Sequence, residues 1–381
     1  MCLDLEQVSV ARTEQRATRL LFLVIGLAAA GWASLVPFAK ARTGLDEGSL
    51  GLVLLCLGTG SILAMPTAGA LSARYGCRVV LTAASLVVCA ALPLLAIVSS
   101  APLLGAVLFI FGAAVGSADC AMNIQAVIVE RASGRPLMSG FHGFYSLGGI
   151  VGAAGISILL TVGASPLQST LAAVVVMVLA IVMAHPGLLT QRSPGQGPSF
   201  AIPHGIVLFL GVLCFIVFLV EGSVLNWSAV FMTEHFSVPA ARSGFAFASF
   251  STAMTLGRLT GDKVVAKIGR RAVVAWGGLL AGGGVALATL TRSWEVALLG
   301  YALVGLGCSN IVPVLFTAVG RQTTMPQAVA VPALSSLGYA GILTGPTAIG
   351  FIAHHSSLSV AFLFVATLMI AVGASSKLLR L

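Results

Sequence analysis

A stripe of polar side chains interrupts one of the most apolar stretches of the chain. Asp119 is followed by Asn123 four residues later and by Glu130 eleven residues later. An α-helix turns by about 100° per residue, so these three side chains lie on one face of a helix. A carboxylate inside a lipid bilayer costs about 3 kcal/mol, and we therefore expect this face to line a polar cavity. Asp119 is predicted to exchange a proton there; the alternative is a structural carboxyl group that joins two helices by a hydrogen bond.

A second acidic residue, Glu221, lies in another long apolar stretch, and Asn226 and Trp227 follow it. Glu221 is predicted to be a second titrating or solute-binding group; the alternative is a hydrogen-bond acceptor that stabilises a gate. Asn226, together with Trp32 and Asn310 in other apolar stretches, could line the same cavity. For these three residues the alternative is ordinary helix packing or anchoring at the membrane interface.

His142 and Tyr145 are three residues apart, which places them on one helix face. An antiparallel neighbouring helix would bring Glu130 to a similar depth, so a contact between Glu130 and His142 is predicted. Histidine titrates near neutral pH. The pair is therefore interpreted as a proton relay or an inner gate, with an interhelical structural pair as the alternative.

Hydrophobic stretches of about twenty residues recur along the whole chain and must position these groups. Hydrophobic residues make up 58% of the chain and charged residues only 8%, and the mean hydropathy of +1.06 excludes a soluble domain with a solvated surface. We predict an all-α polytopic membrane protein with twelve transmembrane helices. The predicted spans are 18–40, 48–73, 77–98, 102–130, 137–163, 166–188, 203–232, 239–264, 271–291, 295–320, 326–353 and 357–377.

Basic residues indicate the orientation of these spans. If the N-terminus is cytoplasmic, fifteen Lys and Arg residues fall in inside segments and four in outside segments. This bias follows the positive-inside rule. It predicts a multi-pass membrane protein with both termini in the cytoplasm.

Two halves of the chain resemble each other. Ser146-Leu147-Gly148 in the fifth span recurs as Ser336-Leu337-Gly338 in the eleventh. We predict two pseudo-symmetric six-helix bundles, residues 1–190 and 203–381, joined by a cytoplasmic linker at 191–202. Repeats of this kind place a solute site at their interface.

Charged residues at the ends of the second and eighth spans form a further group. Arg74 and Arg78 follow the second span, and Arg258, Asp262 and Arg270 lie in or after the eighth. Such groups can neutralise helix ends and acids across the interface of the two halves. We interpret them, with Glu130, as a cytoplasmic interface; the alternative is a set of topology signals.

Several functional classes find no support in the sequence. It contains no metalloprotease, nucleophile-elbow, phosphate-loop or dinucleotide-binding motif. The basic residues are scattered among short loops, which does not favour a nucleic-acid partner. The seven cysteines form no paired or metal-binding pattern. We predict no enzymatic activity, no cofactor and no metal site.

The organisation of the chain resembles the major facilitator superfamily. The second span ends in a Gly-x-Leu-x-x-Arg-x-Gly-x-Arg loop, from Gly69 to Arg78, that is similar to the general signature of this family. The usual aspartate of that loop is replaced by Ala73, whereas Asp262 keeps an acid in the second half. The resemblance covers the whole chain and implies the twelve-helix transporter fold.

Three further stretches are similar to the bacterial YbjJ/MosC-like branch of the superfamily. They run from Gly116 to Glu130, from Phe141 to Gly148 and from Glu221 to Trp227. Members of that branch usually carry Asp where this chain has Asn226. The resemblance implies transport of a small solute across the bacterial inner membrane and suggests import of a sugar- or inositol-like compound.

Together these features predict a monomeric secondary active transporter that works by alternating access, coupled to protons as a symporter of a small solute. Proton-driven efflux of amphipathic drugs or metabolites and a membrane sensor that does not transport are the alternatives. The predicted site residues are Asp119 and Glu221 for proton coupling; Asn123, His142, Tyr145, Asn226, Trp32 and Asn310 for solute binding or gating; and Arg74, Arg78, Glu130, Arg258, Asp262 and Arg270 for the cytoplasmic interface.

Overall fold

Long helices account for nearly all of the chain in the computed structural model. The structure describes residues 12–45, 47–192, 202–239, 242 and 244–379. Most of the predicted linker at 191–202 lies outside the described residues, and so does the beginning of the N-terminal tail. The described residues contain helices and no strand. The all-α prediction is therefore confirmed.

Six of these helices precede the linker and seven follow it. The first six are α1 Arg12–Thr43, α2 Glu47–Tyr75, α3 Cys77–Ile97, α4 Ala101–Ser133, α5 Met138–Thr161 and α6 Pro166–Ala184, which continues into a 3-10 turn at His185–Gly187. The others are α7 Gly205–Phe236, α8 Phe245–Ile268, α9 Arg270–Leu290, α10 Trp294–Ser309, α11 Ile311–Arg321, α12 Gln327–His355 and α13 Leu358–Ser375. Only Asn310 separates α10 from α11, and the two helices form one span, Trp294–Arg321.

Eleven helical segments of the described chain are long and apolar enough to cross a membrane. One further long helix, α8, is not among these eleven segments. It has 24 residues and includes four charged side chains, those of Arg258, Asp262, Lys263 and Lys267. These charges lower its hydropathy below that of a typical span. The twelve predicted spans thus correspond to twelve long helical segments, of which one is strongly charged.

Contacts divide the chain into two compact units. The first consists of Met1–Arg135, Phe144–Pro203 and Met325–Ser336, and the second of Pro136–Gly143, His204–Thr324 and Leu337–Leu381. Helices α5 and α12 each contribute their first residues to one unit and the remainder to the other. The boundaries at 190 and 203 remain a prediction.

Small residues hold α4 against α2 in the first unit. A Cβ atom at Gly112 would overlap the backbone of Leu57, and one at Gly116 would overlap the backbone of Ser61. The Ser61 hydroxyl donates a hydrogen bond to the Gly112 carbonyl at 2.8 Å. Glycine permits this close backbone approach between membrane helices. This close backbone contact forms a seam between α2 and α4 and fixes the part of α4 that leads to Asp119.

A comparable seam joins α7 to α12 in the second unit. Cβ atoms at Gly341 and Gly345 would overlap the backbones of Phe215 and Leu219, respectively. The Trp227 indole donates a hydrogen bond from Nε1 to the Pro346 carbonyl at 3.0 Å and extends the seam. These contacts fix the stretch of α7 that carries Glu221.

Candidate functional site

The carboxyl group of Asp119 lies near the middle of the 33-residue helix α4. Its side chain is half-buried. Among the described residues, no Lys, Arg or His forms an ion pair with it. Asn123, one turn later, donates a hydrogen bond from Nδ2 to the Asp119 backbone carbonyl at 2.9 Å. The acid is therefore held in an apolar helix without a compensating cation from the described part of the chain.

Asn123 contributes a second polar atom next to this acid. Only 1% of the residue is exposed, and its Oδ1 is buried without a hydrogen-bond donor among the described residues. A buried carbonyl oxygen without a donor costs about 1–3 kcal/mol. Asn123 is thus suited to accept a hydrogen bond from a hydroxyl group or from a protonated carboxyl group.

The other predicted residues of the first unit have different environments. Glu130 is buried near the end of α4, and Trp32 is buried in α1. Tyr145 is half-buried in α5, and its backbone carbonyl packs directly on Gly26 of α1. The predicted relay between Glu130 and His142 remains a prediction.

Arg78 connects the start of α3 by hydrogen bonds to the residues that follow α6. Its guanidinium donates hydrogen bonds to the carbonyls of Pro186 and Leu188, both at 3.0 Å. Its backbone N–H donates to the carbonyl of Leu189 at 2.8 Å. Arg74 is exposed, and its guanidinium lies 5.1 Å from the ring centroid of Tyr75. In this structure Arg78 therefore acts within the first unit by satisfying carbonyls at a helix end.

Gln125, which the sequence analysis did not select, stabilises the same helix end. Its Nε2 donates a hydrogen bond to the Thr18 hydroxyl at 3.0 Å, and its Oε1 accepts one from the Leu189 N–H at 3.1 Å. Gln125 is fully buried. A polar residue two positions after Asn123 in an apolar helix was the available signal.

An ion pair between α7 and α8 is the main polar feature of the second unit. Arg258 Nη2 lies 3.5 Å from Glu221 Oε1, and the two side chains are 8% and 13% exposed. Both residues lie near the middle of their helices. The sequence predicts Arg258 among the cytoplasmic helix ends. In the structure it lies ten residues, or about three turns, before the end of α8 and contacts Glu221.

A break between α10 and α11 supplies a second partner for Arg258. Pro313 has no backbone N–H, so the carbonyl four residues earlier, that of Ser309, loses its helical partner. The Nε atom of Arg258 donates to this carbonyl at 3.4 Å. The guanidinium therefore contacts both an unpaired helix carbonyl and a carboxylate.

Asn310 occupies the break itself and contacts α8. Its Nδ2 donates to the Gly257 carbonyl at 3.1 Å and lies 2.9 Å from the Ser309 hydroxyl. Its Oδ1 packs directly on Gly261. Asn310 is buried, so its contacts in this structure join α8 to the broken span.

An aromatic pair joins α7 to α12 and was not predicted from the sequence. Phe218 precedes Glu221 by three residues on α7 and therefore lies on the same helix face. The rings of Phe218 and Tyr339 of α12 have centroids 6.5 Å apart and are nearly perpendicular, at 77°. Both residues are half-buried. The recurrence of Ser336-Leu337-Gly338 next to Tyr339 was the available signal.

Asn226 lies one turn after Gly222 on α7. Asn226 is exposed, and its Nδ2 donates to the Gly222 carbonyl at 2.7 Å.

Asp262 of α8 contacts the start of α5. Its Oδ2 accepts a hydrogen bond from the Gly140 N–H at 3.0 Å. The ring centroid of His142 lies 5.6 Å from that of Phe316. Arg270 is half-buried in the first turn of α9.

Two kinds of chemistry are open to these groups, namely protonation of carboxyl groups within apolar helices and hydrogen bonding to a polar solute. Asp119 with Asn123 provides an acid without a counter-ion from the described residues, and Glu221 with Arg258 provides a pair without net charge. No group of three or more His, Cys, Asp or Glu side chains in the described ranges is placed to hold a metal ion.

Sequence comparison places this architecture among known proteins. Residues 210–380 match the family model described as Major Facilitator Superfamily. An MFS-type transporter of Yersinia pestis is 52% identical over 366 residues, which cover 96% of this chain and 95% of that protein. The membrane protein MosC of Rhizobium meliloti is 29% identical over 361 residues, covering 93% of this chain and 87% of MosC.

Solved structures show the same fold at low sequence identity. The fucose:proton symporter FucP of E. coli has a TM-score of 0.79 at 15% identity and covers 97% of this chain and 99% of its own. The human organic anion transporter MFSD10 has a TM-score of 0.75 at 16% identity, with coverage of 97% and 99%. With a relative that is 52% identical over nearly its whole length, this chain belongs to the major facilitator superfamily of membrane transporters.

Proposed function

We propose that this chain is a proton-coupled secondary transporter that moves a small polar solute across the bacterial inner membrane by alternating access, as a monomer with both termini in the cytoplasm. Asp119 is the proposed coupling carboxyl group. The observation that carries the proposal is its position near the middle of α4, half-buried and without an ion-pair partner among the described residues.

An unpaired carboxyl group is suited to coupling because its charge changes when it binds a proton. The ionised form is costly in an apolar environment, and the protonated form is not. A conformational change that moves Asp119 between aqueous and apolar surroundings would therefore be favoured in the protonated state. Asn123 supports this role, since its buried Oδ1 can accept a hydrogen bond from the protonated acid.

Glu221 has a different environment, and we assign it primarily to solute binding. Its contact with Arg258 at 3.5 Å stabilises the ionised carboxylate. Proton coupling at Glu221 is kept as a secondary role.

A sugar- or inositol-like solute is the proposed cargo. The ion pair of Glu221 and Arg258 on α7 and α8, which carries no net charge, can hydrogen-bond hydroxyl groups. FucP is a fucose:proton symporter, and XylE, with a TM-score of 0.70 at 12% identity, is a proton:xylose symporter. These names suggest which solutes to test first; the proposal itself depends on the polar groups of this chain.

Proton movement in proteoliposomes tests the proposal. Purified protein is reconstituted with a pH-sensitive dye inside the vesicles, and L-fucose, D-xylose or myo-inositol is added outside. We expect at least one of these solutes to acidify the lumen in the wild type, and we expect Asp119→Asn to abolish that signal. Glu234→Gln is the matched control, because it makes the same chemical change at an exposed site near the end of α7.

Two results would contradict the proposal. One is an unchanged proton flux in a folded Asp119→Asn variant. The other is a wild-type protein in which none of the three solutes moves protons.

A further inference from the structure

We infer that Phe218, Glu221, Arg258 and Tyr339 form a subsite for a neutral, ring-shaped polyol, with its hydroxyl groups between the carboxylate and the guanidinium and an apolar face of its ring against the aromatic pair. This inference rests on the proposed function and specifies the solute class. All four residues belong to the second unit.

The length of the ion pair is the first argument. A charge-assisted hydrogen bond between a guanidinium and a carboxylate is about 2.7–2.9 Å long and often bidentate. The Arg258–Glu221 contact is 3.5 Å long and joins one nitrogen to one oxygen. A hydroxyl group can donate to the carboxylate while it accepts from the guanidinium. A hydroxyl group of a polyol can therefore bridge Glu221 and Arg258.

The fixed position of the guanidinium is the second argument. Arg258 Nε is directed to the Ser309 carbonyl, which Pro313 leaves without a helical partner. While Nε contacts that carbonyl, the Nη2 atom of the same guanidinium points to Glu221 Oε1. A donor that is held in place before the solute binds loses less conformational entropy on binding.

The aromatic pair supplies the apolar part of the subsite. Phe218 lies one turn from Glu221, so an aromatic surface and a carboxylate share one face of α7. Gly338 and the side chains of Phe218 and Cys214 pack closely, which fixes the ring next to Tyr339. Both rings remain half-buried. Cyclic polyols present apolar C–H groups on one face and hydroxyl groups at their rim, and this pattern matches an aromatic ring beside polar groups.

Charge balance specifies a neutral solute. The guanidinium and the carboxylate together carry no net charge, so attraction to one partner and repulsion by the other nearly cancel for any charged solute. A charged solute would still have to lose its hydration on entering the subsite, and that loss is costly without a net opposite charge. The subsite therefore discriminates against sugar acids and organic cations through the cost of desolvation.

Equilibrium binding to the full-length protein in detergent tests the subsite. The probes are myo-inositol and L-fucose as neutral polyols, D-glucuronate as an anion and tetraphenylphosphonium as a cation. We expect a neutral polyol to bind at least tenfold more tightly than either charged probe. Phe218→Leu and Glu221→Gln are expected to weaken its binding at least tenfold. Phe247→Leu, a change at a half-buried aromatic residue of α8, is the control and should leave binding unchanged.

The outcomes separate this inference from the proposed function. Asp119→Asn should abolish proton movement and leave polyol binding within threefold of the wild type. Tighter binding of D-glucuronate or tetraphenylphosphonium, or unchanged polyol binding in folded Phe218→Leu and Glu221→Gln variants, would overturn the subsite while proton coupling at Asp119 still held. Melting temperatures measured without solute show whether each variant is folded, and Tyr339→Leu serves as a second aromatic variant if Phe218→Leu does not fold.

Discussion

Arg258 Nε lies 3.4 Å from the Ser309 carbonyl, and this contact links a buried charge to a break in a helix. Pro313 removes the N–H that would otherwise pair with that carbonyl. The same guanidinium contacts Glu221 through Nη2. One side chain therefore joins α7, α8 and the broken span, and it is also the guanidinium of the proposed polyol subsite.

The first prediction concerns the buried ion pair. Arg258→Met removes the partner of Glu221 and of the Ser309 carbonyl, and we expect it to lower the free energy of unfolding by about 3–5 kcal/mol because a buried carboxylate loses its counter-ion. The double variant Arg258→Met with Glu221→Leu should be more stable than Arg258→Met alone. Thermal melting of the purified variants in detergent measures both effects. A double variant that is less stable than Arg258→Met would show that Glu221 has another stabilising partner.

Hydropathy predicted the fold well because each span must bury about twenty residues in lipid. The predicted fourth span at 102–130 agrees closely with Ala101–Ser133. The eighth differs most, since 239–264 was predicted and the helix is Phe245–Ile268. Lys263 and Lys267 in the last turns extend this helix beyond its apolar part, and hydropathy does not register such an extension.

Parts of the candidate site were less predictable. An acid in an apolar segment is visible in the sequence, which is why Asp119 and Glu221 were selected. The pairing of Glu221 with Arg258 depends on which faces of α7 and α8 meet, and one sequence does not give that. Likewise Pro313 predicts a helix break, but only the fold shows that Arg258 contacts the carbonyl left without a partner.

The seam between α2 and α4 gives the second prediction. Gly112→Ala places a methyl group on the backbone of Leu57. Backbone cannot move aside as a side chain can, so we expect a loss of about 1–3 kcal/mol and a lower yield of folded protein. Size-exclusion chromatography and thermal melting give the readout. Gly155→Ala on α5 is the matched control, because no heavy atom of another described residue lies within 4 Å of its Cβ position; equal losses in both variants would contradict the packing argument.

Arg78 gives the third prediction. Arg78→Ala removes two donors from the Pro186 and Leu188 carbonyls, and hydrogen bonds to charged groups contribute about 1.5–3 kcal/mol. We expect a clearly lower melting temperature and faster proteolysis after α6. Arg74→Ala changes the same residue type at an exposed site and should leave both quantities nearly unchanged. If Arg74→Ala were the more harmful change, the role assigned to Arg78 would be incorrect.

Asp262 gives the last prediction, which concerns the start of α5. Its carboxylate accepts the Gly140 N–H, one of the first amides of a helix beginning at Met138, where intrahelical acceptors are lacking. Asp262→Ala should cost about 1 kcal/mol locally, as loss of a helix cap does, and Asp262→Asn should cost less because its amide oxygen still accepts. Hydrogen–deuterium exchange of residues 136–143 measures this directly. We expect exchange to be several-fold faster in Asp262→Ala and intermediate in Asp262→Asn, whereas identical rates in all three proteins would mean that the start of α5 is stabilised by other contacts.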